Sequence, residues 1–367
     1  MKSLRTFWNR FRRLHSWLLI NLILLAVFWL CRRSRTAISA LASLATETRK
    51  LLGQVSYLVP FSVMEVLCIL LVLLVAGYVV VGAVSLFRAK GHRRSTAYRL
   101  LLGAVCIGLT VQTAFTYLWE PHFYVGSFQE LSGITAQPVT KADLLAVTQY
   151  FADQVTETAD GVARDETGLF AVDRETILEN SVHVYDRLSE TFPFLQFPDK
   201  GVKPVHFSHV MSALDFTGIY CPYTGEANVN MDSPACLLPS TAAHELAHQR
   251  SITSEQECNF LAVLSSTTCG DPAYQYSGWL LGYIHLGNAL YSVDPDAYIA
   301  VRDALPETVR RDLQDNNQYW AQFRDSTAKK VSNKVYDGFL KNYGEEDGLQ
   351  SYGAVVDLLV AYYRERI

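Results

Sequence analysis

Three long apolar runs dominate the first third of the chain, at residues 14–31, 66–87 and 100–119, and none contains Asp, Glu, Lys or Arg. At ~1.5 Å rise per residue, each helix would be roughly 27–33 Å long, which matches the hydrocarbon thickness of a bilayer. The pattern predicts an anchor of three transmembrane helices within residues 1–119. A cleaved signal peptide is the competing interpretation of the first run, with Ala40-Leu41-Ala42 as a small-residue cleavage site.

Basic residues flank these runs unevenly. Ten lie in the N-terminal tail and the loop between the second and third runs, whereas the first loop, which is predicted to be helical only in part, holds five. Because basic residues concentrate on the cytoplasmic side, residues after 119 are predicted to lie outside the cytoplasm, at a bacterial plasma membrane. The three sets are Lys2, Arg5, Arg10, Arg12 and Arg13; Arg88, Lys90, Arg93, Arg94 and Arg99; and Arg32, Arg33, Arg35, Arg49 and Lys50.

The pattern changes after the third run. Residues 120–138 read as a linker, and residues 139–367 as a mainly α, α+β domain with a small sheet. Apolar residues recur at helical spacing over 140–159 and 172–191, whereas 203–232 contain short β-type runs broken by turn residues. Residues 226–231 are the predicted edge strand, which could pair with an extended peptide, and a plain edge hairpin is the competing interpretation.

The motif that suggests chemistry is His244-Glu245-Leu246-Ala247-His248, in an uncharged stretch preceded by Pro239-Ser240, where Ser240 is the predicted helix N-cap. Residues four apart share one face of a helix, so the two imidazoles can bind one metal ion. Zinc accepts neutral nitrogen ligands and lowers the pKa of a bound water, whose proton Glu245 would take as general base. The motif is typical of zinc peptidases, and a chance match on a surface helix is the competing interpretation.

A third ligand must come from elsewhere. One class of such peptidases uses a His six residues after the second, but Ser254 stands there. Another class takes a Glu from a following helix, and residues 254–262 fit such a helix. Glu257 is the predicted ligand and Glu255 the alternative, with Cys258 as a further candidate. An S-x-x-E capping box between Ser254 and Glu257 is the competing interpretation.

These residues resemble an uncharacterised family of membrane-anchored, zincin-like metallopeptidases with three N-terminal spans. The family pattern runs H-E-L-A-H-Q-x-G and then E-x-E-A-N-F. This chain has HELAHQRS and EQECNF, with Ser251 in place of the Gly and Cys258 in place of the Ala. Residues 60–62, 218–220, 222–230, 276–278 and 336–352 are also similar to family segments, so the resemblance covers most of the chain. It implies a fold and a metal site but no substrate.

Composition bears on the predicted partners, and individual cysteines and tyrosines add further candidates. The net charge is −4, and no basic tract with interleaved aromatic residues lies outside the membrane flanks, so nucleic acid is not a predicted partner. Four of the seven cysteines lie in the C-terminal domain, and their pairing is left open: Cys221, Cys236, Cys258 and Cys269. Three tyrosines are candidate donors to the oxyanion of a tetrahedral intermediate, with packing as the competing interpretation: Tyr276, Tyr336 and Tyr352.

The sequence therefore predicts a membrane-anchored, zinc-dependent metallopeptidase that cleaves peptide bonds outside the cytoplasm, with the lipid bilayer and a peptide or protein substrate as partners. Its predicted site comprises the Zn²⁺ ligands His244, His248 and Glu257 and the general base Glu245. One alternative is a non-catalytic zinc-binding sensor or assembly module, in which Cys258 or His285 completes a closed metal shell. The other is a zinc amidase that acts on cell-wall material.

Overall fold

The chain folds into two units, seen in a computed structural model that describes residues 7–324, 326–342 and 352–367. The first unit comprises residues 1–56, 63–125 and 222–225, and the second comprises residues 57–62, 126–221 and 226–367. The sequence predicts three continuous segments, an anchor over 1–119, a linker over 120–138 and a domain over 139–367. The two units, in contrast, are discontinuous in sequence. Residues 57–62, which lie between the first two apolar runs, belong to the second unit, and residues 222–225, from the sheet region, belong to the first.

Helices make up the first unit. They are α1 (Arg12–Cys31), α2 (Arg35–Ser56), α3 (Val63–Arg88) and α4 (Arg93–Leu118), followed by a 3-10 turn at Glu120–Tyr124. Helices α1, α3 and α4 are long and apolar enough to cross a membrane, which confirms the three predicted runs. Only 6% of the most apolar window of α3 is buried within the protein, so its side chains are free to contact hydrocarbon. Helix α1 joins α4 through polar side chains, where Trp17 donates to Thr110 Oγ1 over 2.8 Å.

The first loop is far more ordered than its mixed composition indicates, since most of it forms the 22-residue helix α2. Arg49 of this helix is 2% exposed, and its guanidinium lies 4.8 Å from the ring centroid of Trp119. Its Nη2 donates to His122 Nε2 over 2.9 Å. Burial and the charge of Arg49 lower the pKa of His122 to about 3, so this imidazole is neutral and accepts the bond. A buried charge needs such partners, and they hold α2 against the Glu120–Tyr124 turn.

The second unit contains twelve further helices among the described residues and three strands. The helices are α5 (Phe128–Ser132), α6 (Lys141–Thr158), α7 (Arg174–Asn180), α8 (Asp186–Thr191), α9 (Ser208–Ala213), α10 (Leu238–Gln249), α11 (Glu255–Thr268), α12 (Pro272–Val293), α13 (Pro295–Ala304), α14 (Glu307–Ala321), α15 (Thr327–Asn342) and α16 (Tyr352–Tyr363). The strands are β1 (Val202–Val205), β2 (Gly218–Cys221) and β3 (Glu226–Asn230). This unit is therefore mainly helical with a small sheet, as predicted.

Helices α10, α11 and α12 form the centre of this unit, and their inward side chains Leu246, Phe260 and Leu280 are fully buried. Helix α12 also packs closely on α6. A Cβ atom at Gly282 would lie 2.1 Å from Phe151 Cε1, so only glycine permits this approach. The ring of Phe151 then lies 5.0 Å from that of Trp279, edge to face. The apolar face predicted over residues 140–159 is thus the surface on which α12 rests.

The sheet has the order β1-β3-β2, with β1 parallel and β2 antiparallel to β3. The prediction that residues 226–231 form an edge strand is therefore wrong, because β3 is the central strand. Residues Val202 to Val205 pair with its other side in the register Val202↔Ala227. This partner lies more than twenty residues upstream, so no local hydrophobic pattern could reveal it. Among the described residues, β1 and β2 are the outer strands of this sheet.

One further segment differs from its prediction. The single helix predicted over residues 172–191 is two helices, α7 and α8, separated by a 3-10 turn at Ser181–His183. The predicted linker over 120–138 contains α5, which contributes to the site described below. No disulfide joins the seven cysteines, all of which lie in the described part of the chain, so none of the pairings left open by the sequence forms.

Candidate metal centre

Helix α10 carries the H-E-x-x-H motif. It begins at Leu238 with Pro239 in its first turn, so Ser240 lies inside the helix rather than at its N-cap. The Ser240 hydroxyl instead donates to the Leu237 carbonyl over 3.0 Å. The imidazole rings of His244 and His248 lie 4.9 Å apart between centroids, on one face of the helix. This is the juxtaposition that their spacing predicts.

Both imidazoles are oriented through Nδ1. His248 Nδ1 lies 2.9 Å from the carbonyl oxygen of Ile252, and His244 Nδ1 lies 2.9 Å from Asn259 Oδ1. A carbonyl oxygen can only accept, so the Nδ1 atom of His248 carries the proton. In the neutral ring, Nε2 then presents a lone pair. Such hydrogen bonds fix the tautomer and direction of metal-binding histidines.

Glu255 faces both Nε2 atoms. Its Oε2 lies 3.2 Å from His244 Nε2, and its Oε1 lies 3.4 Å from His248 Nε2. Two acceptors at this distance repel each other unless a proton or a metal ion lies between them. Ligand atoms around one tetrahedral zinc ion are about 3.3 Å apart for bonds of about 2.0 Å. The two imidazoles and the Glu255 carboxylate therefore fit a divalent metal ion.

Charge reinforces this arrangement. Burial raises the pKa of Glu255, but His248 and His244 outweigh burial and hold this pKa well below its ordinary value. Burial lowers the pKa of His248, but Cys258 and Glu255 oppose it and the net shift is upward. The carboxylate is thus ionised and the ring beside it favours a positive charge. A bound metal ion would supply that charge without a proton on Nε2.

Glu257 does not lie at the histidine pair. Its side chain is buried, and its two carboxylate oxygens accept the backbone N–H groups of Phe128 and Gln129 over 2.9 and 3.1 Å. Those groups belong to the first turn of α5, where an anion is favourable. The alternative capping box is absent as well, because Ser254 Oγ makes no hydrogen bond to the described residues. Of the two glutamates weighed as third ligand, the structure brings only Glu255 to the histidines.

Cys258 defines a second candidate ligand set. One ligand atom each from His244, His248 and Cys258 lie within 4.8 Å of one another, so this group could also hold a metal ion. However, Cys258 Sγ lies 3.3 Å from Nδ1 of His248, on the edge of the ring away from Nε2. Burial raises the pKa of the thiol to about 12, although His248 opposes the shift. His285 is not part of this group as far as the described residues go.

Glu245 lies against strand β2 and close enough to His244 and His248 to feel their charge. A Cβ atom at Gly218 would lie 2.5 Å from Glu245 Oε1, so a side chain at this position would displace the carboxylate. The carboxylate accepts the backbone N–H of Tyr220, whereas Oε2 is buried and makes no hydrogen bond to the described residues. Burial raises the pKa of Glu245 to about 7, against the lowering effect of the two histidines. A buried oxygen without a protein partner is typical of a site for an ordered water or ion.

The turn after α10 has a left-handed residue at the position where the resemblance implies a glycine. Ser251, which stands at that position, has φ of +76°. Its N–H donates to the His248 carbonyl, and the N–H of Ile252 donates to the Ala247 carbonyl over 3.2 Å. These are the two bonds of a Schellman motif, which places a left-handed residue just after a helix. Glycine is favoured there because a side chain strains this conformation.

Replacing Ser251 with glycine is therefore expected to raise the free energy of unfolding by about 1 kcal/mol, since it removes the strain of a left-handed serine. Thermal unfolding of the purified protein should show a midpoint about 2–4 °C higher. Ser254→Gly is the matched control, because Ser254 has φ of −76° and gains nothing from glycine. An equal or lower midpoint for Ser251→Gly would count against this explanation.

Sequence patterns did not single out Asn259, and they indicated Tyr336 only as a candidate oxyanion donor. Asn259 orients His244, and it follows Glu255 by four residues, so its position on the same face of α11 was the available signal. Tyr336 donates its hydroxyl to Glu255 Oε1, from a helix distant in sequence. Tyr276 donates to buried Asp312 and is a packing residue. The side chain of Tyr352 lies outside the described part of the chain.

The comparisons with known proteins locate the chain in one family. No curated protein and no solved structure matches it. Residues 42–360 match the family DUF3810, described as "Protein of unknown function". That range covers α10, α11 and most of both units. Because the match extends over most of the chain, the protein belongs to the DUF3810 family.

Proposed function

We propose that this protein is a membrane-anchored, zincin-like metallopeptidase in which His244, His248 and Glu255 bind zinc. One observation supports the metal above all others. The bond from His248 Nδ1 to the Ile252 carbonyl leaves Nε2 with a lone pair that faces the Glu255 carboxylate at 3.4 Å. A proton on Nε2 or a metal ion between them relieves this repulsion, and a metal ion held by both histidines and the carboxylate is the arrangement that we infer. The side chains of His248 and Glu255 are nearly buried, at 11% and 12% exposed, which weakens the competition of bulk water for this pair.

Each residue has a definite task in this proposal. Bound zinc supplies a Lewis acid that polarises a carbonyl group and lowers the pKa of water. His244 and His248 present Nε2, and their Nδ1 partners keep the rings in place. Glu245 takes the proton of the attacking water on Oε2, the oxygen without a partner among the described residues, and passes it to the leaving amine. Gly218 keeps the carboxylate against the strand.

Strand β2 favours an extended peptide as substrate. The N–H of Asn230 donates to the Thr217 carbonyl, so residues 217, 219 and 221 are the ones that bond to β3. In an antiparallel pair the alternate residues, Gly218 and Tyr220, direct their backbone groups to the outer edge of β2, away from β3. The Glu245 carboxylate accepts the Tyr220 N–H at this same edge. A peptide that adds to β2 would therefore run directly past the proposed general base.

The location outside the cytoplasm is part of the proposal. Residues 57–62 precede α3, residues 126–221 follow α4, and both belong to one unit. If α1, α3 and α4 each cross the bilayer, these segments lie on the same side. The excess of basic residues before α1 and between α3 and α4 assigns the opposite side to the cytoplasm.

Metal analysis of the purified full-length protein tests the proposal. We expect about one zinc per chain, and loss of that zinc in His248→Ala, because removing one of three protein ligands leaves too weak a site. His209→Ala is the matched control, because the His209 side chain is 79% exposed and lies away from the site. Full zinc content in His248→Ala would place any metal elsewhere.

Cobalt substitution separates the two ligand sets. With Glu255 as third ligand, the cobalt protein should show no sulfur-to-cobalt charge-transfer band. A strong band that disappears in Cys258→Ala would instead support the set with Cys258, which lies within 4.8 Å of both histidine ligands. That result would favour the non-catalytic, zinc-binding alternative, since a buried thiolate is typical of closed structural sites.

A further inference from the structure

Helix α15 lies against residues 213–216, the segment that leads into β2. Lys329 Nζ is 2.8 Å from Asp215 Oδ1, and Asn333 Nδ2 donates to Asp215 Oδ2 over 3.3 Å. One turn further along the helix, the ring of Tyr336 packs edge to face on Phe216, with centroids 5.6 Å apart. These contacts place one face of α15 beside the candidate metal centre.

The same helix contacts Glu255 directly. The Tyr336 hydroxyl donates to Glu255 Oε1, the oxygen that also faces His248 Nε2. The other carboxylate oxygen faces His244. The contacts with Tyr336, His248 and His244 together fix the rotation of the carboxylate about its Cγ–Cδ bond. Glu255 starts α11 and has no side-chain cap at Ser254 to fix it locally. Its orientation therefore depends on a residue some eighty positions downstream.

The described side chains of α15 are largely exposed. Among its residues 327–339 and 341, none is fully buried, and Val331 and Val335 are 59% and 69% exposed. Helical segments with few buried apolar contacts open at low free energy. The contacts to Asp215, Phe216 and Glu255 are therefore positions at which docking of α15 can be weakened.

We propose that metal binding at His244, His248 and Glu255 is coupled to the docking of α15 through Tyr336. This inference rests on the proposed metal site. Tyr336 is a positioning residue, because it acts on the metal only through Glu255. Docked α15 holds the carboxylate in its metal-binding orientation, and the bound metal in turn holds the hydroxyl and the helix. By thermodynamic linkage, docking of α15 must strengthen metal binding by the same free energy by which metal binding strengthens docking.

The affinity test uses full-length protein and a chromophoric chelator that competes for zinc. Tyr336→Phe keeps the ring on Phe216 but removes the hydroxyl. Loss of a hydrogen bond to a metal ligand typically lowers metal affinity by about 10–100-fold, and we expect zinc affinity to fall by about 10-fold here. Lys329→Ala, which loosens α15 without touching Glu255, should lower the affinity in the same direction. Val335→Ala, next to Tyr336 but 69% exposed, is the matched control and should bind zinc as the wild type does.

The reciprocal test measures hydrogen exchange of α15 with and without zinc. In the wild type, zinc should slow exchange in α15, and in Tyr336→Phe this protection should be lost. Wild-type zinc affinity in Tyr336→Phe, or exchange of α15 that does not respond to zinc, would overturn the coupling while leaving the metal site intact. If the wild type binds no zinc, the metal site itself is refuted and the coupling with it.

Discussion

Replacing Glu255 with glutamine is expected to weaken zinc binding by more than about 100-fold. The reason is geometric, since both Glu255 oxygens face Nε2 atoms, at 3.2 Å from His244 and 3.4 Å from His248. Glutamine keeps the size of the side chain but lacks the negative charge and one acceptor oxygen. Loss of a direct ligand should lower zinc affinity by more than the roughly 10–100-fold that follows loss of a group hydrogen-bonded to a ligand. Zinc content after dialysis against a weak chelator measures the effect.

Glu257→Gln is the matched variant, two residues along the same helix. Its carboxylate accepts N–H groups from Phe128 and Gln129, so the change should leave zinc bound. It should instead lower the free energy of unfolding by about 2 kcal/mol, because one hydrogen bond to a charged group is lost. Zinc loss in Glu257→Gln with retention in Glu255→Gln would reverse the assignment of the third ligand.

Replacing Glu245 with glutamine should abolish peptide hydrolysis and leave zinc content unchanged. The Glu245 carboxylate lies on the β2 side of α10, so it does not compete for the metal. Removing a general base typically costs about 10²–10⁴-fold in rate. Cleavage of a mixture of unfolded peptides, followed by mass spectrometry, measures the rate without a known substrate. Zinc analysis of the same sample shows that the metal is still present.

The control for this variant is Glu166→Gln, an exposed glutamate of the second unit that lies in a loop. It should cleave the peptide mixture at the wild-type rate. A fully active Glu245→Gln enzyme would falsify the assigned base. Cleavage of cell-wall fragments but not of peptides by the wild type would instead support the amidase alternative with the same residues.

The sequence determined the features that depend on local spacing. Three uncharged runs are long enough to cross a bilayer, and they form α1, α3 and α4. The spacing of His244 and His248 places their rings on one face of α10 in any helix that contains them. The turn after α10 was also foreseeable in part, because the resemblance indicated a glycine where Ser251 now has φ of +76°.

The choice between Glu255 and Glu257 could not be made locally. Two residues on a helix are separated by about 200°, so only one of them can face α10, and the rotation of α11 decides which. That rotation is set by tertiary contacts. Asn259, on the Glu255 face, bonds to His244, whereas Glu257 bonds to the first turn of α5. Helix α5, which lies in the predicted linker, thus holds the Glu257 carboxylate away from the two imidazoles.

Strand order and the contribution of α15 depended on distant parts of the chain in the same way. Pairing of β1 with β3 makes residues 226–230 a central strand, and Tyr336 reaches Glu255 across 81 positions. The sequence by itself determined the spans, the helix and the two imidazoles, because helical periodicity is a property of neighbouring residues. Only the tertiary structure decided which carboxylate meets those imidazoles and what holds it there, because packing between distant elements sets the rotation of each helix.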